Sequence, residues 1–322
     1  TEGSVNVHSF IGGLSKSMMN GVGPDAQWGT IPEILFAAFQ MTFAIITPAL
    51  MIGAFAERMK FSAVMIFSIL WLLIVYIPIC HMTWAGAGGL YWDWGVMDFA
   101  GGIVVHVTAG FGALVACMMI GPRSGYPKHL EPPHNMTMTV TGTAMLWFGW
   151  FGFNAGSALA ANGQAAMALL VTHISASAAT LVWMGIEWVK LGKPSVLGAA
   201  TGSIAGLAAI TPASGFVGPI GALAIGSTSA ILCYVFATMI KQKFGYDDSL
   251  DVFGVHGVGG LLGTIMCGVF ASSVFGGNNG GNEQYDIADH VLTQLKGAGS
   301  AAVYTVIATF VILKLVQWTI GI

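Results

Sequence analysis

Two histidines, His106 and His256, each lie in a stretch free of Asp, Glu, Lys and Arg, within GGIVVHVTAG and VFGVHGVGG. Among Gly, Val, Thr and Phe the charged ring is disfavoured. A neutral imidazole offers one donor and one acceptor, so two rings in contact can hand a hydrogen bond from one to the other. A lone apolar histidine is most simply a satisfied core residue. A pair in matching membrane settings points instead to a pathway lined by imidazole. His173 also sits in an apolar stretch, without a counterpart, and reads as packed or interface-facing. His8, His81, His129, His134 and His290 read as loop or span-end residues.

Aromatics form a second constellation. Phe39 and Phe43 are four residues apart and share a helix face. Trp147, Trp150, Phe151 and Phe153 crowd the segment ahead of Asn154 and Ser157, and Trp84, Tyr91, Trp92 and Trp94 cluster in a loop. An interfacial belt accounts for Tyr91, Trp92 and Trp94. Aromatic faces also hold small cations, at about 0.5–2 kcal/mol each. A cation site, then phenyl plugs, then imidazoles, makes a coherent path. Asp98 precedes His106 by eight residues and Asp251 precedes His256 by five. Both read first as helix caps, with Asp98 adding a pull on a cation.

The elements that position these residues follow from composition. The chain is 55% apolar and 8% charged, against about 25% charged in a soluble domain. Charge-free stretches at 34–56, 61–92, 99–122, 132–186, 194–240, 252–282 and 297–313 are too long for barrel strands and suit spanning helices of about 20 residues. The two longest must fold back. Nine spans are expected, near 32–56, 61–82, 99–121, 137–158, 165–188, 196–211, 217–241, 252–275 and 298–319. The fold class is therefore an all-α integral membrane protein, a polytopic helical bundle. The 45 glycines let such helices approach closely.

Alternate loops on one side carry Arg58, Lys60, Arg123, Lys128, Lys190, Lys193, Lys241 and Lys243, while the other side carries Lys16 and Lys296. The positive-inside rule makes the first set cytoplasmic, with the N-terminus outside and the C-terminus inside. Residues 1–30 form an outer N-terminal segment and 31–322 the transmembrane domain. No basic patch suggests nucleic acid. Cys80, Cys117, Cys233 and Cys267 lack metal-ligand spacing, and a zinc site needs more clustered ligands than two histidines. Neither cofactor, metal nor enzyme activity is expected.

Aligning His106 with His256 brings Gly110 onto Gly260 and Cys117 onto Cys267, and AIITPAL (44–50) resembles AAITPAS (208–214). The offset is five spans. An odd offset makes the two copies enter the membrane from opposite sides, an inverted repeat. The second copy covers 136–276 with five spans. The first, 31–121, shows three, which leads to the expectation of two further spans before residue 1. The last span, 297–320, stands outside the repeat.

At these residues the chain resembles the ammonium transporter family (ammonium transporter, methylammonium permease and Rhesus proteins). The likeness extends over nearly the whole chain. It rests on AFQMTFAIIT (38–47), IGAFAERMKFSAV (52–64), YIPICHMTWAGAGGL (76–90), MDFAGGIVVHVTAG (97–110), GWFGFNAGSA (149–158), GKPSVLGAATGSIAGLAAITPASG (192–215) and DVFGVHGVGG (251–260). The resemblance implies an eleven-span homotrimer embedded in membrane lipid, with one pore per subunit. It implies ammonium recruitment at Phe43, Trp84 and Ser157 with Phe39 nearby, Asp98 behind them, a gate of Phe43 and Phe153, and a pore of His106 and His256 that passes ammonia. It also implies a possible PII-type regulatory partner on the cytoplasmic face. Trp84 and Ser157 favour the ammonium branch over the Rhesus branch. The main rival is an ammonium sensor with little flux, once fused to a signalling domain. The resemblance also implies a cytoplasmic tail used in gating, which these 322 residues do not include.

Overall fold

The computed structural model describes residues 5–128 and 132–322; His129 lies outside them. Among the described residues nine principal helices overlap the expected spans, α9 starting eleven residues ahead of its own: α1 (Glu33–Phe55), α2 (Phe61–Trp84), α3 (Gly102–Ile120), α4 (Met136–Ala155), α5 (Gly163–Leu191), α6 (Val196–Ile210), α7 (Pro219–Phe244), α8 (Phe253–Phe270) and α9 (Ile287–Thr319). Seven are long and apolar enough to cross a membrane. The exceptions are α6, with 15 residues, and α4, diluted by Thr137, Thr139, Thr141 and Thr143. A two-residue hairpin pairs Gln27–Trp28 with Ile31–Pro32 ahead of α1.

Local sequence sets the helix ends. Asn135, Asn162, Ser195 and Asp286 each accept a hydrogen bond from a first-turn amide of α4, α5, α6 and α9, satisfying donors that the helix itself leaves open. Gly192 and Gly245 end α5 and α7 in the left-handed region, where a side chain is disfavoured.

The repeat is visible in the backbone. In the first half, an α-helix (α1) is followed by one carrying a π-helical turn at Leu72–Tyr76 (α2) and one that opens on a π-helical turn at Gly102–Val107 (α3). In the second half, α6, α7 with its π-turn at Val235–Ile240, and α8 opening on Phe253–Gly257 repeat the series. Such π-turns recur at functional sites. The openings of α3 and α8 bear His106 and His256. They pack on each other at the centre, with α1 and α9 against α3, and α5 along α6 and α7. The largest buried cluster gathers Phe43, Met51, Phe67, Trp71 and Ile103.

Candidate functional site

The two imidazoles meet. His106 and His256 place their Nδ1 atoms 3.2 Å apart, with ring centroids 5.1 Å apart. They are 1% and 8% exposed. One Nδ1 must donate to the other, so the rings carry complementary tautomers, and His106 Nε2 is left buried without a partner. The contact depends on glycine. A Cβ on Gly110 would stand 2.2 Å from Gly257 backbone, and one on Gly260 would stand 2.6 Å from the His106 Cβ. These are the two glycines that the repeat alignment superposes.

A row of rings leads to the pair. Trp84 stands edge-on to Phe43 at 5.4 Å, and Phe39 does so from the same helix at 5.0 Å. Phe43 lies 4.6 Å from Phe153, and Phe153 lies nearly parallel to His106 at 6.0 Å. Trp150 stacks on His106 at 5.5 Å, held by its indole N–H on Thr211. Ser157 hydrogen-bonds the Phe153 carbonyl one turn back. A Cβ on its neighbour Gly156 would touch the Phe39 ring at 3.0 Å, so Ser157 follows directly on the aromatic row. All the residues singled out in the sequence, Phe39, Phe43, Trp84, Asp98, Phe153, Ser157, His106 and His256, therefore fall along one line or against it. Trp150 was recognisable only as one of several clustered aromatics; its stacking on His106 needs the three-dimensional packing.

Two cavities flank the pair. One of about 810 Å³ lies between α1 and α4, lined by Leu35, Phe39, Trp150, Phe153 and both histidines. One of about 130 Å³ is lined by Thr139, Thr143, Leu250, Val255 and His256. His256 borders both and so forms part of the partition between them.

Each histidine helix starts on an aspartate eight residues upstream. Asp98, 5% exposed, accepts four amides: Gly101 and Gly102 on Oδ1, Ile103 and Val104 on Oδ2, at 2.6–3.0 Å. Its backbone carbonyl accepts the Trp84 indole N–H at 2.7 Å. Its carboxylate is thus occupied as a helix cap, and it reaches the aromatic row through Trp84. In the second half the counterpart is Asp248, not the Asp251 expected from the sequence. Asp248 Oδ2 accepts the Phe253 amide at 2.7 Å, and Oδ1 is buried without a partner. Asp251 corresponds to Gly101. Both have positive φ, 57° and 110°, and their carbonyls accept the amides of Val255 and Val105. With a side chain at that position, Asp251 turns to Lys241 in an ion pair. The eight-residue spacing was the available signal for Asp248.

Charges gather beside Asp248. Asp247 accepts the backbone and guanidinium N–H groups of Arg123, with Arg58 3.5 Å away. Burial favours protonating Asp247, but the Arg123 hydrogen bonds and the two guanidinium charges hold its carboxyl below the ordinary value. Burial, reinforced by the Asp251 charge, pushes Asp248 up to about 7 against the pull of the Phe253 amide, Lys241 and the Val252 amide. No group of three or more His, Cys, Asp or Glu suited to a metal ion occurs among the described residues.

The model of the Ammonium Transporter Family matches residues 2–322. An ammonium transporter of Bacillus subtilis is 44% identical over 312 residues, covering 96% of this chain and 76% of that protein. The crystal structure of Saccharomyces cerevisiae Mep2 superposes with a TM-score of 0.88 at 35% identity, covering 99% of this chain and 72% of that one. A structure described as a sensor Amt protein superposes with a TM-score of 0.81 at 29% identity, covering 89% and 72%.

Proposed function

Because the chain belongs to the ammonium transporter family, we propose that it takes up ammonium at the aromatic row, removes a proton, and conducts ammonia past the histidine pair. The Lys/Arg asymmetry supports a cytoplasmic Asp248 end and an outer Trp84 end, with the first residues outside. Trp84, Phe43, Phe39 and Ser157 then form the recruitment site. Asp98 contributes by its charge and by fixing Trp84, and Phe43 and Phe153 form the gate. The transmembrane domain is residues 31–322, preceded by an outer segment. A homotrimer and a PII-type cytoplasmic partner accompany this reading by family resemblance.

The observation that carries it is the contact of two buried, mutually hydrogen-bonded imidazoles directly beyond stacked phenyl rings. Carrying a bare ion through such a dry passage costs of order 20 kcal/mol by an idealised Born estimate. Ammonium has another route. Its pKa lies roughly two units above neutrality, so shedding a proton costs about 3 kcal/mol at 1.36 per unit. Ammonia then needs only a donor and an acceptor on its way, which the rings offer. Potassium has no proton to shed and is refused. The proton either returns outside or follows through the imidazoles, giving electroneutral or electrogenic transport.

The test is His106→Ala combined with His256→Ala in proteoliposomes. Ammonium flux or its selectivity over potassium should fall at least tenfold; wild-type flux with intact potassium exclusion would refute the histidine role. A second reading, an ammonium sensor with little flux, is favoured by the likeness to the sensor Amt structure. Binding without uptake or current in the wild-type protein would select it.

A further inference from the structure

The two helix openings that carry the histidines share a backbone design but differ in how their aspartates are satisfied. Asp98 is saturated by four amides. Asp248 holds the Phe253 amide with one oxygen and keeps the other bare and buried. Phe253 begins the π-turn that ends at Gly257 and carries His256. We propose that Asp248 is a positioning residue for His256, and that protons from the cytoplasm, by neutralising it, loosen that turn and lower flux. The proposal rests on the reading of the chain as an ammonium conduit.

The geometry supplies both parts. An ionised carboxylate holds an amide roughly twice as firmly as a neutral acid does, and a buried oxygen without a donor is the place where a proton gains most. Asp248 itself is 1% exposed, but the neighbouring Asp251 side chain is 27% exposed and provides a way in. The charges around it are Asp251, Asp247 and Lys241 in its own loop and the adjoining end of α7, Arg58 after α1, and Arg123 after α3. Tyr246 and, from α3, Cys117 are the other titratable neighbours. In this setting burial, then Asp251, brings the Asp248 carboxyl to about 7, within the range of a cell interior. Burial also pushes the Asp98 carboxyl up, but there four amides pull the other way and leave no bare oxygen to take the proton.

The experiment compares wild type with Asp248→Asn, which mimics the neutral acid and keeps an oxygen for the Phe253 amide. Ammonium flux into proteoliposomes, read as uptake and as current, is measured after ammonium jumps at symmetric pH from 6 to 8. Taking the ratio of wild type to variant at each pH cancels the changing ammonia fraction. The ratio should be near one at pH 6 and rise severalfold by pH 8. A ratio independent of pH overturns the proposal. Two readouts on the wild type need neither transport nor the variant. Infrared difference spectra should show a buried carboxyl losing its proton near neutrality, and the His256 ring ¹⁵N resonances should move with the same midpoint. If all carboxyls are ionised at pH 6, or the His256 resonances ignore that midpoint, the proposal fails even where the variant does not insert. Absence of both ammonium uptake and current with both spectral changes present would instead refute the conduit and leave the Asp248–His256 coupling standing.

Discussion

The half of the molecule that opens on Asp98 and the half that opens on Asp248 use one backbone plan for opposite surroundings. Both place a histidine eight residues after an aspartate, on a π-turn, against a glycine of the other half. Beyond that the dressing differs. The Asp98 end carries Trp84 and Phe43; the Asp248 end carries Thr139 and Thr143 on a small cavity, with charges behind it. A near-symmetric backbone brings the two rings together, and the side chains make the two sides of the pair unlike.

The difference between the two caps is open to measurement. Asp98→Ala strips the acceptor from four buried amides, each worth roughly 1–3 kcal/mol when orphaned. A loss of about 4 kcal/mol or more is expected, seen as failure to insert or a collapsed Tm in detergent. Asp248→Ala removes one well-formed hydrogen bond and also an oxygen that had no partner, so its loss should stay near 1–2 kcal/mol. Equal losses would mean that the caps are equivalent after all.

The glycine contact is the next largest effect. Gly110→Ala drives a methyl into the Gly257 backbone, where no side chain can move aside. Overpacking of this kind costs about 1–3 kcal/mol, and pushing the two helices apart should separate the imidazoles and cut flux at least tenfold. Gly259→Ala is the control. Its Cβ would meet the Cys233 sulfur at 3.4 Å, an ordinary contact, so stability and flux should barely change. If both variants transport alike, close approach of α3 and α8 is not what holds the pair.

Much of this could be read from the chain because membrane spans announce themselves. Charge-free runs place eight of the nine helices to within about five residues, while α9 begins at Ile287, eleven residues ahead of its expected start, because its first turns carry Asp289 and Lys296; the repeat of His106 with His256 brings in Gly110 and Gly260. The histidine contact itself followed from symmetry. Asp248 does not stand out in the sequence because Asp247, Asp248 and Asp251 crowd one short loop. Nothing linear distinguishes a carboxylate that takes amides from one that takes Lys241. The stacking of Trp150 on His106 likewise depends on how α4 lies across α3, which composition does not encode.

The smallest effects come from the charges, and they run in opposite directions. Asp248 has its carboxyl raised to about 7, so between about pH 4 and 7 the folded protein holds a proton that the unfolded chain has released. That part of stability is present in acid and lost as pH rises to 7. Asp247 is held below its ordinary value by Arg123 and Arg58 against its burial. Its contribution is present above the ordinary carboxylate pKa and lost as pH falls toward the folded value. One proton limits the Asp248 slope to about 1.4 kcal/mol per pH unit. Tm measured from pH 5 to 8 should therefore decline less in Asp248→Asn than in wild type, the two diverging toward pH 8. Arg123→Gln should lower Tm at pH 7 by the equivalent of under about 1 kcal/mol, because the Arg123 side chain is 29% exposed and screened. The deficit should shrink in acid as Asp247 takes up its proton. Parallel Tm curves for wild type and Asp248→Asn would show that Asp248 is ionised throughout, and the contrast between the two caps would then lie in their hydrogen bonds alone.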